Sequence, residues 1–112
     1  MHGVVHTEFA ANDLKSSSKF FYDLFDWKIE PFMDNYFTWS NGEAGGGLDS
    51  KMRDGTKTMV YIEVEDIKAS VEKAKDLGAI IHLEYEELPH DAGVIAILST
   101  PEGTPLGLWA KK

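Results

Sequence analysis

The chain has 112 residues, 43 % hydrophobic and 12 % aromatic, with a formal net charge of −8 and no cysteine. That length supports one domain with a real core. No apolar stretch approaches the roughly 20 residues that span a bilayer, and without thiols there is no disulfide framework or thiolate chemistry. The negative charge, unrelieved by any basic run, opposes phosphate contacts and argues against DNA or RNA as partners. The N-terminus lacks the basic-then-apolar order of a secretory signal, so a cytoplasmic protein without membrane contact is the expectation.

Residues 4–9 alternate β-branched and aromatic side chains with other types, the period-two pattern of a strand. A helix is predicted after Asp13, because Leu14, Phe21, Leu24 and Phe25 fall in three- and four-residue steps and Asn12 or Asp13 can cap its start. Three short strands are predicted next, at about 27–32, 35–40 and 44–48, with Asn41-Gly42 as a tight hairpin turn. The polar stretch from Asp49 to Thr58, containing Asp54-Gly55, reads as a linker. A second strand-and-helix pair follows at 59–64 and after Asp66, where Ile67, Val71, Ala74 and Leu77 form the stripe and Gly78 the stop. Strands at about 80–86, 93–99 and 105–110 complete the chain, the last two joined by a Pro101-Glu102-Gly103 turn.

Sliding the sequence by 53 residues superimposes Asp13 on Asp66, Lys15 on Lys68, Ser17 on Ser70, Asp23 on Asp76 and Leu24 on Leu77. This is a weak internal repeat. Each half is β-α-β-β-β, and neither alone buries both faces of its sheet, so the two must pack together as a single domain. Module one covers about 3–49, the linker about 50–57 and module two about 58–112.

With these elements placed, the sequence resembles the vicinal oxygen chelate superfamily, which includes glyoxalase I, bleomycin-resistance proteins and extradiol dioxygenases. The resemblance covers nearly the whole chain. It rests on HTEFAANDLKSSSKFFYDLFDW opening the first module, YIEVEDIKASVEKAKDLGA opening the second, and AGVIAILSTPEGTPLGLW closing it, with Thr100 where aspartate is common. FFYDLFDW and the GLW ending look most like the uncharacterised glyoxalase-related branch. The resemblance implies an α+β fold in which two paired βαβββ modules form a cupped eight-stranded mixed sheet, with helices outside and a small-molecule ligand inside. It also implies a homodimer.

Strand alternation then sorts the residues. Thr7 and Phe9 are expected to face the first helix, and His6 and Glu8 the cup. Val60, Ile62 and Val64 are expected to face the second helix, and Met59, Tyr61 and Glu63 the cup, with Trp109 sharing the parity of Gly107. The superfamily's metal-dependent members take ligands from the first and last strand of each module. His6, seven residues before Asp13, matches the first; its counterpart seven before Asp66 is Met59, whose thioether suits hard or borderline ions poorly. Six residues after Pro101, where the last strand's glutamate belongs, stands Gly107. AGGGLDS likewise has no glutamate at its centre, and Asp49 would need a register shift.

One imidazole does not hold a catalytic ion against water. Glu8, roughly 6.5 to 7 Å from His6 at Cα, adds one carboxylate only if both side chains lean inward. No cofactor is therefore expected, and if any metal is bound His6 is its one standard ligand. His2, His82 and His90 read as solvated or structurally hydrogen-bonded, and Trp27 and Trp39 as packing residues. The ligand-binding candidates are His6, Glu8, Met59, Tyr61, Glu63 and Trp109. If there is catalysis, His6 is the acid or base tuned by Glu8, and Tyr61 donates to a carbonyl or enolate oxygen. The reading is a protein that binds or sequesters a small molecule, the alternative a metal-dependent lyase, isomerase or dioxygenase.

Overall fold

The computed structural model describes residues 2–52 and 55–112. In chain order the elements are β1 (Val4–Ala10), α1 (Leu14–Phe25), β2 (Lys28–Met33), β3 (Tyr36–Ser40), β4 (Gly45–Asp49), β5 (Thr58–Glu63), α2 (Ile67–Asp76), β6 (Ile80–Glu87), β7 (Val94–Ser99) and β8 (Pro105–Ala110). The β-α-β-β-β order occurs twice, as the repeat predicts. A 3-10 turn at Pro89–Asp91 is an addition that the sequence pattern does not predict. Of the predicted linker turn, Asp54 lies outside the described residues, and Gly55 sits at φ +78°.

The chain divides into two compact units, residues 5–59 and residues 60–112 together with the start of the chain. Residues before Val5 join the second unit because the Glu63 amide donates to the Gly3 carbonyl. In the first unit the strand order is β2-β3-β4-β1, antiparallel except for the parallel β4–β1 pair. The second repeats it as β6-β7-β8-β5, with β8–β5 parallel. A parallel neighbour for each first strand follows from the helical crossover after it, which returns the chain in the same direction.

Both helices start at the predicted aspartates. Asp13 accepts from the Ser16 amide at 3.0 Å and Asp66 from the Ala69 amide at 3.1 Å, satisfying donors that have no partner within the helix. Gly78, at φ +96°, follows α2 as its stop, whereas α1 ends on Asp26 at φ +59°. The predicted tight turn at Asn41-Gly42 is a four-residue connection, 41–44. The Asn41 side chain accepts from the Glu43 and Ala44 amides, and these local bonds stabilise the longer loop.

Alternation places the cores as expected. Ile62 of β5 and Val64 just after it join Ile67, Val71, Ala96, Leu98, Leu108 and Ala110 against α2, while Val60, expected beside them, is not among this cluster. In the first unit Phe9, Phe37 and the buried Trp39 and Leu48 meet Leu14 and Phe21 of α1. Trp27, just before β2, stacks on Trp39 with ring centres 3.9 Å apart, and the Trp39 indole donates to the Thr7 carbonyl. Both tryptophans are packing residues. The faces of β1, β3 and β4 opposite this core carry His6, Glu8, Tyr36 and Asp49.

Candidate functional site

In β1, with Phe9 committed to the core, His6 and Glu8 share the other face. In β3, with Phe37 and Trp39 committed to the core, Tyr36 does the same. Register brings the three together. Glu8 of β1 lies beside Gly47 of β4, and Tyr36 of β3 lies beside Asp49, one same-face position along β4. The Tyr36 ring crosses β4 over Gly47, where a Cβ would run into its hydroxyl. Glycine is required there by close approach, not by backbone angle.

Beyond Gly47 the Tyr36 hydroxyl reaches β1. It donates to Glu8 Oε2 at 2.6 Å and lies 2.6 Å from His6 Nε2, while His6 Nε2 and Glu8 Oε2 are 3.6 Å apart. A phenol has one hydrogen, and a carboxylate only accepts. With that hydrogen given to Glu8, the His6 bond requires Nε2–H to donate to the Tyr36 oxygen. The hydroxyl thus fixes the tautomer of the ring as well as bridging it to the carboxylate. The Glu8 side chain is 11 % exposed and that of His6 30 %, so the chain of bonds runs from a buried acceptor to an imidazole that reaches solvent.

Two neighbours shape this face. Phe32 sets its ring edge on Tyr36 at 6.1 Å. Asp49 is half-buried, and burial holds its carboxyl above the usual aspartate range; the charge of Glu8 pushes the same way, and the Lys51 amide, which donates to Asp49, pulls back.

Of the other expected ligand-binding residues, Met59 is buried and belongs to the same unit. Tyr61, Glu63 and Trp109 belong to the second unit. There Tyr61 lies opposite Gly107 in the β5–β8 register, and a Cβ on Gly107 would run into its ring. The Trp109 indole donates to the Ala92 carbonyl at 2.7 Å and covers Gly93, anchoring the connection between β6 and β7. Glu63 lines an open cleft of about 410 Å3 with His2, Val64, Glu65 and Lys111. His2 bonds to the Glu63 carbonyl and His82 to the Ser99 hydroxyl.

The two glycines occupy equivalent positions. Tyr61 is the 53-residue counterpart of Glu8, and Gly107 faces Tyr61 across a parallel pair as Gly47 faces Glu8. Each module therefore has, at the same place in its last strand, a glycine with a tyrosine ring lying over it.

Compared by sequence, neither a protein-family model nor a curated protein matches the chain. Compared by structure, it is similar to a glyoxalase/bleomycin resistance protein/dioxygenase superfamily member from Vibrio splendidus, with TM-score 0.73 and 18 % identity over 100 % of both chains. It is similar also to methylmalonyl-CoA epimerase from Mycobacterium tuberculosis, with TM-score 0.75 and 15 % identity over 98 % of this chain and 88 % of that one. The fold is that of the vicinal oxygen chelate superfamily. A Mn(II)-bound glyoxalase from Novosphingobium aromaticivorans also has it, at TM-score 0.74 and 11 % identity over 96 % of this chain and 38 % of that one.

The vicinal oxygen chelate fold implies a divalent ion, and the donor set can be tested against one. At the four positions the resemblance assigns to ligands stand His6, Gly47, Met59 and Gly107. Two of these have no side chain and one offers a thioether. Glu8 brings a carboxylate near His6, but the Tyr36 hydroxyl already lies between the two. Among the described residues no three His, Asp or Glu side chains are grouped to hold a metal ion. These residues do not fit the ion.

Tyr36 is the site residue that sequence reasoning does not single out. Its face follows from alternation with Phe37 and Trp39, a sorting that the sequence reading does not extend to β3. What brings it to Glu8 is the order β3-β4-β1, a non-local pairing, and the local signal that it leaves is the Gly45-Gly46-Gly47 run, which marks close approach of a neighbour.

Proposed function

We propose that this protein binds a small molecule on the His6, Tyr36 and Glu8 face of its first unit, as a glyoxalase/bleomycin-resistance-like protein that works without the superfamily's metal ion. One observation carries the reading: the Tyr36 hydroxyl, bonded to both His6 and Glu8 over Gly47, stands where a metal-dependent site needs open donors. Binding sites of this kind combine a few fixed polar groups with apolar walls. His6 and Glu8 supply the polar groups, and the edge of Phe32 supplies a wall. The metal-dependent lyase or isomerase is the second reading, and it is favoured by His6 alone.

The test is saturation-transfer NMR of the purified protein against a library of small fragments. The expected result is a set of binders whose affinity falls about 5-fold or more in Glu8→Ala, which releases the Tyr36 hydroxyl and the His6 ring that it orients, a hydrogen bond contributing about 0.5–1.5 kcal/mol. Absence of any binder, or binders indifferent to Glu8, contradicts the reading.

A further inference from the structure

We infer that the outward flank of α1 is an interaction surface for a second copy of this chain, the two α1 helices packing antiparallel about a two-fold axis.

The repeat supplies an internal comparison. α2 buries Ile67 and Val71, whereas no residue of α1 is buried. Phe20, Tyr22, Leu24 and Phe25 are each between 51 and 59 % exposed. Phe25 still leans on the Trp27 ring, with centres 5.0 Å apart. Phe20 and Leu24, one turn apart, share a flank beside the core-facing stripe of Leu14 and Phe21. The 53-residue slide sets Lys73 opposite Phe20 and Lys75 opposite Tyr22. In α2 those positions are solvated, and Lys75 pairs with Glu72 and Glu84. A single exposed leucine is ordinary, and Leu77, the counterpart of Leu24, is another. What sets α1 apart is aromatic carbon where its duplicate has charge, and grouped apolar surface of this kind marks a contact.

Charge selects the occupant. Lys19 and Asp23 pair with each other on the flank next to Phe20 and Leu24, and both side chains are more than half exposed. A two-fold axis across α1 reverses the second helix. Phe20 then meets Leu24 of the second copy, and Lys19 meets Asp23 of the second copy within one residue of the same register. A face that carries both halves of each pair is complementary to itself, as an isologous interface must be. A lipid surface fits less well, because helices that lie on membranes are rich in Lys and Arg. α1 has two lysines, one of them held by Asp23, and the chain carries a net charge of −8. The small-molecule face is not involved. Phe9 and Phe21 stack between β1 and α1, while His6, Glu8 and Tyr36 occupy the other face of the same sheet.

Sedimentation velocity of the full chain over a concentration series tests the surface. The wild type should pass from monomer to dimer as concentration rises. Phe20→Lys, which gives α1 the residue type its duplicate carries, should raise the dissociation constant about 30-fold or more, because each dimer loses two buried aromatic side chains. Its far-UV circular dichroism and urea midpoint should stay close to those of the wild type, since Phe20 is exposed in the single chain. Asp23→Lys should weaken the dimer as well, and adding Lys19→Asp to it should restore association, because the exchange preserves the pairs both within and between helices. A wild type that stays monomeric up to about 1 mM overturns the proposal, as does a dimer that Phe20→Lys leaves intact. A double variant no better than Asp23→Lys alone overturns the antiparallel register. Flotation with phosphatidylcholine–phosphatidylglycerol vesicles that Phe20→Lys abolishes assigns the flank to lipid and overturns the proposal too.

Discussion

Tyr36 and Gly47 act as one unit, because the hydroxyl reaches His6 and Glu8 only while the strand between them has no side chain. Gly47→Ala places a methyl group against the tyrosine oxygen, and the ring must swing away. Overpacking of this kind costs about 1–3 kcal/mol, and urea unfolding of the variant should show a loss in that range. A variant as stable as the parent would mean that the ring does not lie over Gly47. Asp49 is legible by pH. Its carboxyl is raised above the ordinary 3.8, first by burial and then by the charge of Glu8. A raised folded-state value means that the native protein is penalised for ionising this group. The penalty is absent below the unfolded value and grows as pH rises through the folded one. Asp49→Asn keeps an oxygen for the Lys51 amide and removes the charge. Its Tm should exceed that of the parent at pH 7 and converge with it at pH 3; an equal difference at both pH values would refute the assignment.

At the scale of elements, the two helices rest on the same local chemistry, an aspartate accepting from the amide three residues on. Asp66→Ala should cost about 1 kcal/mol in denaturant unfolding, the usual contribution of an N-cap. No change would mean that α2 starts elsewhere. Such features were legible in the sequence because they are local. Asp13 and Asp66, the packed parts of the helix stripes (Leu14 and Phe21; Ile67, Val71 and Ala74), and the alternation of Phe9, Ile62 and Val64 each need only a few neighbouring residues to be read, whereas Leu24, Phe25 and Leu77, expected in the same stripes, are exposed. The Asn41 loop was legible as a turn but not in length, because the two side-chain bonds that stabilise it are not visible in a dipeptide. A longer β6 and a longer connection after it, which includes Pro89–Asp91, account for most of the change by which the 53-residue repeat that aligns Glu8 with Tyr61 becomes 60 residues between Gly47 and Gly107. A fixed slide of the sequence therefore finds the first strands and helices and misses the last strands.

For the molecule as a whole, His6, Met59 and Gly107 were enough to question the metal from sequence. The residue that changes the site's chemistry, Tyr36, was hidden by non-local pairing. The fold is shared with a Mn(II)-bound glyoxalase, but function resides in the side chains a fold presents, and here each last-strand position holds a glycine under a tyrosine ring. The most direct test is metal binding by the whole chain: equilibrium dialysis against Mn(II) and Zn(II), followed by elemental analysis, in wild type and His6→Ala. The account predicts no stoichiometric ion in either protein. One divalent ion per chain in the wild type, lost in His6→Ala, would contradict it.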